Sequence, residues 1–502
     1  RRLVSTRGGV QTLQADCDAI AAHSGDNHLP LLWPFYKSHR ATILRMVRML
    51  DLESTTEDRS LIDAIELILS QERARGDWLD EPVDLAFTTQ LWRKTITHRT
   101  EQGEERIHRR LFEVCVFSSL ANELKSGDVA VRGSETYADY REQLLPWEQC
   151  EPLLDDYCRQ VGLPASAVGF VNALQSKLMQ VADLTDQGYL ENGQVIIGDD
   201  GFPVLKRHKA KDMSSGARAL ETAILDRLRE RSVIEILCDV AHWTRWPRHF
   251  GPLSGSDIKI DQPTERYVLT AFTYGCNLGP AQAARHLRGA ASAHMLSFVN
   301  RRHVDANKLA AACRDIINSY AGLQLPKFWG DGKRAAADGT KYDLYDQNLL
   351  ASYHIRYGGY GGIAYHHVSD TYVALFSHFI PCGVWEAVYI IDGLLKNTSD
   401  IQPDTVHADT QGQSLPVFGL SHLLGIQLMP RIRNWRDYRF FRPDEDSRYE
   451  HIDALFREDV DWDLIETHWK DLMQVVLSIK SGKIAASTLL RKLGNYSRGS
   501  EE

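Results

Sequence analysis

Two aspartates in strand-like runs form the pattern in this sequence best suited to chemistry. Asp338 lies in Ala336-Ala337-Asp338-Gly339-Thr340-Lys341-Tyr342, and Asp409 in Val406-His407-Ala408-Asp409-Thr410-Gln411-Gly412. Two carboxylates at close range repel each other, and burying both is costly unless a cation neutralises them. Mg²⁺ suits the task because it is a hard cation that accepts carboxylate oxygens and leaves octahedral positions for water and phosphate oxygens. Two such ions, ~3.5–4 Å apart, can serve the attacking and leaving oxygens of a phosphodiester displacement, with Mn²⁺ as a substitute. Asp338 and Asp409 are thus the candidate catalytic and metal-ligating residues. One pair holds one ion well; a second ion calls for a third carboxylate.

These side chains need a sheet to bring them together. Residues 334–342 alternate so that Ala336, Asp338, Thr340 and Tyr342 share a face. Glycines around 358–362 turn the chain into Ile363–Ser369, and Tyr372–Ile380 follows, which predicts an antiparallel meander. Val384, Ala387, Val388, Ile391, Leu394 and Leu395 recur at helical spacing. Thr405–Asp409 then reads as a fourth strand, Ser414–Leu424 as a helix and Ile426–Arg433 as a fifth strand. A strand that returns through a helix tends to lie parallel to its neighbour, so the fourth strand can pair with the first and set Asp409 beside Asp338. The layout predicts an RNase H-like α/β domain with a mixed five-stranded sheet near the C-terminus of a mainly α, multidomain chain. Asp331, between Gly330 and Gly332, reads as a turn residue. His366, His367, His378 and His407 are set aside as strand histidines.

Ahead of this domain the sequence is mostly helical. Leu61, Ile62, Ile65, Ile68 and Leu69 follow helical spacing behind Ser60, an expected N-cap. Phe112, Cys115, Val116 and Leu120 do the same before a short strand at Val129-Ala130-Val131. Residues 190–206 read as a hairpin around Gly198-Asp199-Asp200-Gly201, and the polar basic run after it as a linker. The expected parts are a helical DNA-binding or dimerising region over 1–110, a mixed central region over 111–206, a helical scaffold over 207–325, the catalytic core over 326–443 and the start of a helical insertion over 444–502.

With 502 residues, 43% hydrophobic and 25% charged, the chain has the composition of an ordinary globular protein. No apolar run approaches a membrane span, and the start has no apolar signal core. A soluble, non-exported, cytoplasmic protein is expected. The eight cysteines contain no Cys-x-x-Cys pair, which argues against structural zinc and a disulfide framework. The net charge of −9 is unfavourable for binding nucleic acid as a whole, so contact with phosphates must be local. Residues 93–110 carry six cationic and three anionic side chains. The better candidate is 431–442, where Arg431, Arg433, Arg436, Arg439 and Arg442 are interleaved with four aromatics and oppose one aspartate.

The order of motifs extends this reading. Trp329-Gly330-Asp331-Gly332, Arg356-Tyr357-Gly358, His367-Val368-Ser369-Asp370, Ile391-Asp392-Gly393-Leu394-Leu395, Ala408–Gly412, Leu420–Gly425 and Pro430–Arg433 resemble the catalytic domain of the replicative class II transposases, the family of the ampicillin-resistance transposon enzyme. Ser487–Ser497 continues that resemblance, and Ser126–Ser134 resembles the family's central region. The resemblance implies a DDE transposase acting as a homodimer, with divalent metal, on terminal inverted repeats and target DNA, associated with the bacterial nucleoid. Such an enzyme nicks transposon 3′ ends and joins them to target DNA to give a cointegrate. Asp338 and Asp409 match the family's first two catalytic carboxylates. The glutamate motif that would supply the third has no match before Glu502, and Glu450, Glu458 and Glu466 lie in unrelated contexts, read as exposed helix charges. The expectation is therefore a partial chain lacking the N-terminal recognition segment and the catalytic glutamate, inactive by itself. The alternative is a module that only binds DNA or dimerises.

Overall fold

In a computed structural model, the structure describes residue 27 and residues 29–493, apart from 75, 80, 100–103, 135–136, 199–200, 207–211, 256–258, 288, 345–347, 349–350, 355–357, 383–385 and 434–439. Part of the expected linker after 206, the motif residues Arg356 and Tyr357, helix position Val384, the end of Ser487–Ser497, and Arg436 and Arg439 lie outside the described residues. The chain divides into two compact units, Arg1–Asp155 with Asp471–Glu502, and Asp156–Lys470.

In the first unit, helices Leu32–Val47, Ser60–Ser70 and Arg109–Ser126 bury Leu44, Leu61, Ile65, Phe112 and Val116 in one core. Each such side chain contributes roughly 1.5–3 kcal/mol by leaving water. Ser60 is the first helical residue rather than the cap, because the Asp58 carboxylate accepts its N–H at 2.8 Å. Val129–Val131 pairs antiparallel with Leu52–Ser54. Much of the basic stretch before residue 110 is engaged internally. Arg93 donates to the Leu85 carbonyl, Arg109 to Gln71 and the Trp78 carbonyl, while Arg99 pairs with Glu105 and Arg110 with Asp77.

The second unit begins with helices, among them Val233–Thr244, Pro263–Gly275, Ala293–His303 and Ala306–Ala321, around a core of Trp246, Phe250, Tyr267, Val268 and Val299. The hairpin read at 190–206 is present as Val195–Ile197 paired with Pro203–Leu205. The helices give way to a mixed sheet whose strands are β1 (Arg334–Asp343), β2 (Ser352–His354), β3 (Gly359–Ser369), β4 (Ala374–Pro381), β5 (Thr405–Ala408) and β6 (Gln427–Pro430). Their order is β4-β3-β1-β5-β6, with β2 added on β3. β1, β3 and β4 form the antiparallel meander, and β5 and β6 run parallel to β1.

The sheet thus has six strands, not five. The extra strand is three residues long, too short to show a period in sequence. β6 also ends earlier than expected, at Pro430, so Arg431 and Arg433 follow the sheet instead of belonging to it. Helices α1 (Tyr389–Leu395) and α2 (Leu415–Leu423) connect β4 to β5 and β5 to β6. Ile390 and Ile391 of α1 are fully buried.

Candidate active site

Asp338 and Asp409 are brought together by strand register. In β1 and β5, Arg334, Ala335, Ala336 and Ala337 pair in parallel with Thr405, Val406, His407 and Ala408. The two aspartates are the next residues on each strand, and their separation of 71 positions is the offset of every pair in that ladder. Alternation in β1 buries Ala335 and Ala337 and exposes Ala336, Asp338 and Thr340, so Asp338 stands on the open face. Asp409, just past the end of β5, is also exposed. The small alanines beneath carry the strands into the core without competing for this face.

The same level of the sheet continues sideways as a polar row. Asp338 pairs with His366 of β3, and His366 with Ser377 of β4. A ring nitrogen of His366 lies 2.7 Å from the Ser377 hydroxyl. On the other side Arg431 donates its backbone N–H to the Ala408 carbonyl at 2.9 Å, which fixes it next to Asp409. Arg433 is held by its N–H to the Gln413 side chain at 3.0 Å. Both arginines are exposed. Arg442 is committed elsewhere: its guanidinium meets both Asp453 carboxylate oxygens, at 2.5 and 3.0 Å, and lies over the Phe456 ring.

The opposite face of β1 holds an acid that the sequence reading missed. Glu386 is buried, and a Cβ at Gly339 would overlap its carboxylate and come within 2.7 Å of Ile363. The missing side chain at Gly339 therefore leaves the space this carboxylate occupies below the strand. Burial raises the Tyr365 hydroxyl well above its ordinary pKa, and the negative fields of Asp409, Glu386 and Asp338 push in the same direction. That phenol stays protonated beside three acids. His367, also on this face, is pushed down to about 4 by burial. One of its ring nitrogens lies 2.9 Å from the Ile390 carbonyl, and the ring packs on the bare Cα of Gly393, tying α1 to β3.

Glu386 therefore belongs to the underside of the sheet. Among the described residues no group of three or more His, Cys, Asp or Glu side chains is arranged to hold a metal ion. Asp338 and Asp409 are the donors that fit one: two exposed carboxylates on neighbouring strands, with open solvent for further oxygen ligands. No signal in the sequence marked Glu386, since glutamate after a glycine-containing turn reads as a solvated helix start. The glycine next to a candidate ligand was the available hint. Among the described residues no helix is long and apolar enough to cross a membrane.

Similar proteins carry this arrangement into a family. The chain is 26% identical over 498 residues to the transposase for transposon Tn1546 of Enterococcus faecium, covering 96% of this chain and 48% of that protein. It is 28% identical over 473 residues to the transposase for Tn3926 of Escherichia coli, covering 92% and 46%, and 27% identical over 495 residues to the transposase for Tn501 of Pseudomonas aeruginosa, covering 96% and 48%. The chain thus spans about half the length of the curated relatives it matches. The family described as the Tn3 transposase DDE domain matches residues 235–501, more than half of the sequence and all of the sheet that pairs Asp338 with Asp409, and this chain belongs to that family.

Proposed function

We propose that the chain is the catalytic portion of a DNA transposase that nicks transposon 3′ ends at terminal inverted repeats and joins them to target DNA in replicative, cointegrate-forming transposition. The observation that carries the reading is the register match of Asp338 and Asp409 on the open face of β1 and β5, in a chain of the DDE family. We read the sheet as RNase H-like, since its order and strand directions place the two acids at the centre.

In this reading Asp338 and Asp409 hold Mg²⁺, or Mn²⁺ in its place. When bound, the metal activates the attacking hydroxyl and stabilises the leaving oxygen. The chain's own contribution is positional. The β1–β5 ladder sets the carboxylates side by side before any ligand arrives, so little ordering cost remains at the moment of binding. Arg431 stands next to Asp409 and Arg433 two residues further along the chain, where guanidinium groups can pair with the phosphates flanking the scissile bond. Arg436 and Arg439 are proposed to extend that contact, and Arg442 to brace it through Asp453. Homodimerisation and a cytoplasmic, nucleoid-associated location belong to the same proposal.

The test is Asp338→Asn and Asp409→Asn in the complete transposase. Each is expected to abolish metal-dependent 3′ nicking of transposon-end DNA while binding to that DNA survives. Full nicking by either variant removes that residue from the site. A second reading, a DNA-binding and dimerising module without cleavage, rests on Glu386 lying on the underside of the sheet. It predicts a salt-dependent shift of transposon-end DNA by residues 1–502 with no cleavage. Robust metal-dependent nicking by that polypeptide excludes it.

A further inference from the structure

A second feature lies at the start of β1, where three large aromatic side chains stand in solvent. Phe328 is 84% exposed, Trp329 49% and Tyr372 75%. Trp329 and Tyr372 meet edge to face, with ring centroids 5.5 Å apart. Phe328 and Trp329 border a hollow of about 830 Å³ whose rim also carries Lys327, Lys333 and Arg334, all exposed. Exposed aromatics in a cluster are unusual on a protein surface and mark places where something binds.

The loops that carry these rings are clamped. The Asp370 carboxylate accepts the Gly332 N–H at 2.9 Å and the Ser369 hydroxyl at 3.2 Å, and Gly330 sits so close to it that any Cβ would overlap. The Asp370 N–H donates to the Arg334 carbonyl, and the Tyr320 hydroxyl to the Thr371 carbonyl, at 2.9 and 2.8 Å. Tyr372 holds a left-handed backbone, φ 64°, which non-glycine residues rarely adopt, and this aims its ring outward from the β3–β4 turn. Such a conformation persists only where the surroundings over-determine it, and it recurs at binding sites.

The placement of the rings and cations along β1 points to the occupant. Three acids line the hollow beside the three cations: Asp331 and Asp370 accept backbone N–H groups of Lys333 and Gly332, at 3.0 and 2.9 Å, and Asp400 is exposed. Arg334 lies on the same face of β1 as Asp338, four residues away, a distance of about 13 Å along a strand. That is the range of a few nucleotides of one strand.

We propose that Trp329 and Tyr372 receive an unpaired nucleobase of a DNA strand, with Phe328 beside them and the adjacent phosphates on Lys327, Lys333 and Arg334. The proposal rests on the reading of the chain as DNA-processing and names a base-stacking subsite near its open face. Aromatic faces stack any base, so the subsite is expected to be tolerant of sequence.

The test is fluorescence titration of a single-stranded oligonucleotide carrying 2-aminopurine with residues 1–502. Binding is expected to quench the probe. Trp329→Ala and Tyr372→Gly should each weaken affinity about 5- to 150-fold and reduce the quench, with Trp329→Phe retaining most of it. Tyr372→Gly removes the ring while relieving the left-handed backbone, so loss of binding there cannot be assigned to misfolding. Lys333→Ala and Arg334→Ala should each lower the salt slope by about one. Unchanged affinity and quench in both ring variants overturns the proposal, as does a change confined to oligomeric state, which makes the patch a protein contact. Asp338→Asn with Asp409→Asn separates this from the catalytic reading: the quench must survive in that double variant whether or not its nicking is lost.

Discussion

Gly339 lies directly above the buried carboxylate of Glu386, on the face of β1 opposite Asp338. A methyl group at Gly339 has no room unless Glu386 moves. Gly339→Ala is expected to destabilise the protein by ~1–3 kcal/mol, the usual range for overpacking. Combining it with Glu386→Ala should recover part of that loss, because the obstructing carboxylate is gone. Urea midpoints of the two single variants and the double variant measure the coupling, and simple additivity would mean that the two groups do not meet.

Asp338 and Asp409 are like charges on neighbouring strands. Replacing either by Asn should leave metal-free stability equal or raised by about 0.2–1 kcal/mol, since directly opposed like charges disfavour pairing. Adding Mg²⁺ or Mn²⁺ should raise the melting temperature of the parent chain and leave the Asp338→Asn/Asp409→Asn double variant unmoved, because only a ligand that binds the native state stabilises it. An equal rise in both proteins places the metal elsewhere.

His367 gives a pH signature. Its folded-state pKa, lowered to about 4 by burial, lies below the ordinary value of 6.5. Between those values the unfolded chain binds the proton and the native chain does not, so stability rises with pH across the window. The contribution is fully present above pH ~6.5 and lost as pH falls towards ~4. His367→Gln should flatten that part of the stability curve while also weakening the tie between α1 and β3. Denaturant unfolding across the window checks this, and an unchanged slope would contradict it.

The arginines near the sheet should separate by role. Arg431→Ala and Arg433→Ala are expected to weaken DNA binding and each lower the salt slope by about one, with little change in stability. Arg442→Lys should cost about 1 kcal/mol of stability, because lysine cannot reproduce the two-oxygen grip on Asp453. Gel-shift titrations at several salt concentrations, run beside thermal melts, distinguish the two patterns.

What could be read from the sequence follows the physics of each element. The alternation in 334–342 and the helix between two strand runs were enough to pair Asp338 with Asp409, because period and connectivity are local properties. β2 escaped notice because three residues carry no period. The burial of Glu386 and the ion pair of Arg442 were not legible for another reason: their surroundings come from Gly339, 47 positions before the one, and Asp453, 11 positions after the other. A glutamate reads as solvent-facing and an arginine among aromatics as a phosphate contact until the partner is known. The exposed cluster of Phe328, Trp329 and Tyr372 hid in the same way, since its members come from two loops that meet through Asp370 and the Trp329–Tyr372 ring contact.

The constant offset between β1 and β5 also governs which changes of length the domain can survive. Residues added to the loops beside α1 leave the ladder alone and should be tolerated as surface insertions are. A single residue gained or lost inside Thr405–Ala408 has another effect. Because side chains alternate with period two, that slip would send the second carboxylate into the core and bring Ala408 or Thr410 to the open face. Evolution of this domain can therefore lengthen its connections freely but is locked to the counting of four consecutive residues.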